Sequence, residues 1–97
     1  MTPEKKVKHK VSKILKGAEV YYFYPVTSGY GSSGVPDIVA CCNGKFLAIE
    51  CKAGKNTTTA LQNKNISDIR RNGGYAIVVN EVNCVKDTLT AIEVLKQ

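Results

Sequence analysis

The residues predict an α/β fold: a mixed central sheet flanked by helices, in the order α-β-β-β-α-β, with one extra helix after the last strand. Three features carry that expectation. Two apolar runs, Ile38-Val39-Ala40-Cys41-Cys42 and Lys45-Phe46-Leu47-Ala48-Ile49, flank Asn43-Gly44, the pair that supplies the two positive-φ residues of a type I′ hairpin turn. A further run, Tyr75-Ala76-Ile77-Val78-Val79, follows a helical segment closed by Gly73-Gly74, so its strand joins the sheet through a helix. A stripe of helical period opens the chain.

Helix one starts from Thr2 as N-cap and Pro3 at the first helical position, where a missing N–H costs nothing. Val7, Val11, Ile14, Leu15 and Ala18 form its apolar stripe, and Gly17 stands near its stop. Lys5, Lys6, Lys8, Lys10, Lys13 and Lys16 cover the remaining surface. The β-rich run Val20-Tyr21-Tyr22-Phe23-Tyr24 ends at Pro25, and residues 25–35 read as a loop. Helix two runs from Thr59 to Arg71 or Asn72, with Ile66 and Ile69 inward. The strand at 75–79 is continuous enough to expect burial on both faces. The last helix is expected over about Asp87 to Lys96, with Leu89, Ile92 and Leu95 inward.

Ninety-seven residues suit a single domain, 1–97, with one modest core, and so small a core makes a homodimer plausible. Fourteen Lys and Arg against eight acids give a net charge of +6, which favours a polyanionic partner, nucleic acid before a membrane surface. The lysine-rich start lacks the apolar stretch of a signal peptide, and no run approaches a spanning helix, so the expected location is cytoplasmic. Four cysteines without a Cys-x-x-Cys pair, and one histidine, argue against zinc and for buried reduced thiols.

With Asn43 and Gly44 as turn residues, Cys42 pairs with Lys45, and each outward step keeps the sum constant. Asp37 then faces Glu50, and Lys52 lies on the same side, diagonal to Asp37. Two opposed carboxylates repel, and a divalent cation is the natural group to sit between them. A solvated sheet face is the plainer reading, but Val39, Phe46 and Ala48 share that side, so the charges cluster at one end of an otherwise apolar face. Glu4 extends helix one's stripe backwards, and Gln62 heads helix two's. Each also has a structural account: an acid in the first turn complements the helix dipole, and Thr59-x-x-Gln62 is a capping box.

Pro36-Asp37 before a hairpin and Glu50-x-Lys52 on the next strand resemble the PD-(D/E)XK nuclease superfamily, whose restriction-endonuclease-like core has this element order. More narrowly, Glu4, Ser33-Gly34-Val35-Pro36-Asp37, Phe46-Leu47-Ala48-Ile49-Glu50-Cys51-Lys52, Gln62 and Gly73-Gly74 resemble the VRR-NUC (virus-type replication-repair nuclease) family over about residues 3–80. Cys51 stands where many relatives have Val and still offers its backbone carbonyl.

The resemblance implies a Mg²⁺- or Mn²⁺-dependent DNA endonuclease with no small-molecule cofactor. Asp37, Glu50 and the Cys51 carbonyl would hold the metal, Lys52 would orient or deprotonate water or stabilise negative charge, and Glu4 and Gln62 would assist. Small stand-alone members of that family are viral or phage dimers, which implies branched DNA such as four-way (Holliday) junctions as substrate. Lys5, Lys6, Lys8, Lys10, Lys55 and Lys64, with Lys45, Arg70 and Arg71, are the expected phosphate contacts, joined by Tyr30, Ser32 and Ser33 from the loop. The competing functions are a non-catalytic nucleic-acid-binding module on the same fold and a structural subunit of a larger complex. Retention of both acids disfavours the binding module, because acids repel phosphate.

Overall fold

In a computed structural model, residues 1–26 and 34–97 are described. The elements are α1 (Pro3–Gly17), β1 (Tyr21–Phe23), β2 (Ile38–Cys42), β3 (Lys45–Cys51), α2 (Ala60–Arg71), β4 (Tyr75–Val79) and α3 (Cys84–Leu95). The four strands stand in the order β1-β2-β3-β4. The first three are antiparallel, and β4 joins β3 in parallel. A parallel neighbour needs a crossover, which α2 provides. This is the α/β architecture expected, compatible with a PD-(D/E)XK-like nuclease fold.

The hairpin register is the expected one. Cys42 pairs with Lys45 and the ladder runs to Ile38 opposite Ile49, while Asn43 and Gly44 take φ of 54° and 78°. Alternation then sends Ile38, Ala40, Cys42, Leu47, Ile49 and Cys51 to one face. There they pack with Val7, Val11 and Leu15 of α1 and Cys84, Ala91, Ile92 and Leu95 of α3. The opposite face carries a much smaller cluster, Ala48 and Ala76 under Ile66 and Ile69 of α2.

Several details depart from the sequence expectations. Helix α1 does end at Gly17, but the positive-φ residue that follows is Glu19, with φ 59°, and not a glycine. The β1 ladder is shorter than the run Val20–Tyr24. Helix α3 starts at Cys84, three residues before Asp87, and Leu89 is 50 % exposed rather than inward. Its buried stripe is Cys84, Thr88, Ala91, Ile92 and Leu95; a helix turns 100° per residue, which carries Leu89 off that line. As an edge strand, β4 leaves Val78 partly exposed instead of burying both faces. Cys42, Cys51 and Cys84 are buried as expected, but Cys41 is exposed, because its face of the sheet carries no helix there. No helix among the described residues is long and apolar enough to cross a membrane.

Candidate metal centre

The site forms where the hairpin ladder stops. Pro36 has no N–H, so it cannot extend the pairing beyond Ile38. The Asp37 carboxylate takes over: its Oδ2 accepts the Cys51 backbone N–H at 2.8 Å. Because paired residues of an antiparallel ladder offer N–H and C=O to the same edge, the Cys51 carbonyl projects toward β2 as well. The chain reaches this point by pressing Gly34 against α2, where a Cβ would lie 2.5 Å from the Leu61 carbonyl oxygen. No other residue fits so close an approach without shifting the helix.

Glu50 sits one step along β3 and is 3 % exposed. Glu4, in the first turn of α1, completes a group of three carboxylates whose nearest oxygens all lie within 4.8 Å of one another. Burial, followed by the charge of Asp37, pushes the Glu50 carboxyl up from 4.5 to about 8; Lys52 opposes this and Glu4 adds to it. A buried carboxylate crowded by two more is the environment that a hard divalent cation relieves, and an all-oxygen donor set suits Mg²⁺, Mn²⁺ or Ca²⁺ better than a soft metal. The Cys51 thiol does not join that set. Burial drives its ionisation far upward, and it lies on the opposite face of β3.

Gln62 performs two tasks with one amide. Its Oε1 accepts the Thr59 N–H at 2.9 Å and Thr59 Oγ1 accepts the Gln62 N–H at 3.2 Å, the full capping box. Its Nε2 donates to Glu50 Oε2 at 3.1 Å. The structural and site readings of this residue therefore hold together: the cap fixes the amide that orients the acid. Lys52 Nζ lies 3.9 Å from Glu50 Oε2 with only 12 % of its side chain exposed, and its backbone N–H is tied to the Val79 carbonyl at 2.9 Å.

A cleft of about 220 Å³ opens at two of these carboxylates, lined by Thr2, Glu4, Lys5, Lys8 and Asp37. A larger hollow of about 340 Å³ lies elsewhere, between Phe46, Asp68, Ile69, Asn72 and Gly74. Its single acid is already paired with Lys64 and Arg71, so the ionisable chemistry belongs to the smaller cleft.

The expected phosphate contacts divide by place. Lys5, Lys6 and Lys10 are exposed on α1, and Lys55 is exposed after β3. Lys64 is engaged with Asp68 at 2.9 Å. Arg70 donates to the Ala76 carbonyl at 2.7 Å, and Lys45 to that of Leu95 at 3.5 Å. Tyr30, Ser32 and Ser33 lie outside the described residues. Lys8 is half-buried, with its ammonium 4.3 Å from the centre of the Tyr24 ring. The sequence places Tyr24 only in the β-rich run that ends at Pro25, and nothing in its spacing from Lys8 signals the contact.

Set against known families, the chain matches the family model described as archaeal Holliday junction resolvase (Hjc) over residues 6–94. No curated protein matches it significantly.

Proposed function

The chain belongs to the archaeal Holliday junction resolvase (Hjc) family, a PD-(D/E)XK-type nuclease family, and from that membership we propose that it is a metal-dependent endonuclease cutting four-way DNA junctions as a homodimer. The convergence of Glu4, Asp37 and Glu50 is the observation that carries this reading. The whole of residues 1–97 acts as one nuclease domain, and its motifs keep the finer VRR-NUC likeness within the superfamily.

Asp37, Glu50 and the Cys51 carbonyl would hold Mg²⁺ or Mn²⁺, with Glu4 beside them. When bound, the ion supplies Lewis-acid polarisation of a phosphate oxygen and a lower pKa for a coordinated water. The protein side chains do the rest. The Cys51 N–H fixes the rotamer of Asp37, and the capped Gln62 amide fixes Glu50, so neither acid must reorganise during the reaction. Lys52, whose backbone N–H is tied to the Val79 carbonyl just past β3, would turn its ammonium toward the charge that builds on the phosphorane-like transition state. The exposed lysines of α1 contact flanking phosphates without reading sequence.

Support for a dimer comes from the sheet face beyond α2. Tyr21 is 70 % exposed, and Phe23 and Phe46 are each about half exposed. Together with Val39, Ala40, Cys41 and Gly44 they line one shallow apolar hollow that contains no charged residue. On a chain of net charge +6, an uncharged aromatic surface suits a second copy rather than DNA.

The test is a cleavage panel in Mn²⁺ with single-stranded, duplex, flap and four-way substrates. Wild type cuts the four-way junction preferentially, and Asp37→Ala cuts none of them. Equal, unaffected cleavage by Asp37→Ala overturns the site; preference for another substrate overturns the junction reading.

A further inference from the structure

We propose that Tyr24 is a positioning residue, which with Ser12 holds the Lys8 ammonium at the carboxylate cleft as the anchor for a DNA phosphate beside the cut. The inference rests on the nuclease reading above and extends it to residues with no other place in the mechanism.

Of the six lysines on α1, five are exposed and Lys8 alone is half-buried. It lines the cleft together with Glu4 and Asp37, and its ammonium rests 4.3 Å from the Tyr24 ring centre, within the range of a cation–π contact. The ring is itself fixed. Ser12 is 95 % buried, and its Oγ donates to the Lys8 carbonyl at 2.8 Å. A hydroxyl has one proton, so the 2.6 Å contact between Ser12 Oγ and Tyr24 Oη leaves Tyr24 as the donor. The ring also meets Tyr22 edge-on, at 6.0 Å between centres. One serine thus ties the backbone of Lys8 to the ring that holds the Lys8 side chain.

The consequence is selective ordering. A free lysine loses rotamer entropy when it grips a phosphate, whereas Lys8 has already given much of it up. A cation at a cleft lined by acids also offsets their repulsion of the incoming phosphate. The other α1 lysines, including Lys5 at the same cleft, are exposed.

The full-length chain should be tested for binding to a fluorescent four-way junction in EDTA, where no cleavage occurs. Lys8→Ala is expected to weaken binding about ten-fold and to reduce the slope of log K against log salt by about 0.9. Tyr24→Leu weakens it about three-fold alone and adds nothing in the Lys8→Ala background. Lys8→Arg, which keeps the cation over the ring, restores most of the affinity. In wild type, proton NMR shows the Lys8 ε-methylene signals shifted upfield by the ring; Tyr24→Phe, which loses the bond to Ser12, weakens that shift and Tyr24→Leu abolishes it.

Multiplicative losses in the double variant overturn the proposal, as does wild-type affinity in a folded Tyr24→Leu. Unshifted Lys8 signals in wild type overturn it without any variant. Failure of wild type to bind any DNA overturns the nuclease reading too, whereas additive variants of a DNA-binding wild type sink this inference alone.

Discussion

The two faces of one sheet do opposite work. Toward α1 and α3, alternate residues of β2 and β3 enter a continuous core in which Ile38, Leu47, Ile49 and Cys51 are all fully buried. Toward α2, the same strands present Ala48 in a small cluster, then the acids at one end and open aromatics at the other. A two-residue period separates these sets, so one strand holds the fold together with odd positions and carries its chemistry on even ones. Stability and function are therefore separable by substitutions one residue apart.

The largest effect that separates the two faces is expected at Lys52. Lys52→Ala should lower single-turnover cleavage by about 10²–10³-fold with little change in melting temperature. Leu47→Ala, on the opposite face, should lose about 2–5 kcal/mol of stability in a urea titration. A folded Lys52→Ala with full activity, or a Leu47→Ala as stable as wild type, would break the division of labour.

The pH dependence of the metal-free protein sharpens the contrast next. Glu50 ionises near 8 in the fold and near 4.5 when unfolded, so the folded state retains the extra proton between those values. Stability should then fall as pH rises from about 4.5 to 8, and Glu50→Gln should flatten that decline. Added Mn²⁺ should raise the melting temperature most at the alkaline end, where the carboxylate is charged. A melting profile that rises across this window in wild type would contradict the crowding of the three acids.

The smallest effect is expected at the cap. Thr59→Ala should cost about 1 kcal/mol by removing the acceptor for the Gln62 N–H. Gln62→Leu, which removes the amide that donates to Glu50 as well as its half of the capping box, should also slow cleavage slightly. A stability loss with unaltered cleavage would leave Gln62 as a cap only.

Much of this was legible in the sequence because it depends on short-range rules. Asn43-Gly44 fixed the hairpin turn, and the turn fixed the register that puts Asp37 and Glu50 at one end. The stripe positions of Glu4 and Gln62 followed from helical period, and both side chains do reach that end. The start of α3 was hidden because Asn83 caps through the turn, accepting the Asn80 N–H, rather than by an N-cap bond to the helix. The exposure of Cys41 was hidden too, since alternation gives its face of the strand but not the extent of the helix covering that face. Contacts such as Tyr24 with Ser12 and Lys8 join a strand end to a helix face across a chain reversal, which no local pattern encodes.

The central claim is that the buried acid on β3 serves a metal-dependent cut and not the fold. It is tested most directly by single-turnover cleavage of a four-way junction by Glu50→Gln in Mn²⁺ at pH 8, with melting temperature measured on the same samples. The expected result is a loss of about 10³-fold in rate with a metal-free melting temperature at or above that of wild type. Wild-type cleavage by Glu50→Gln would contradict it.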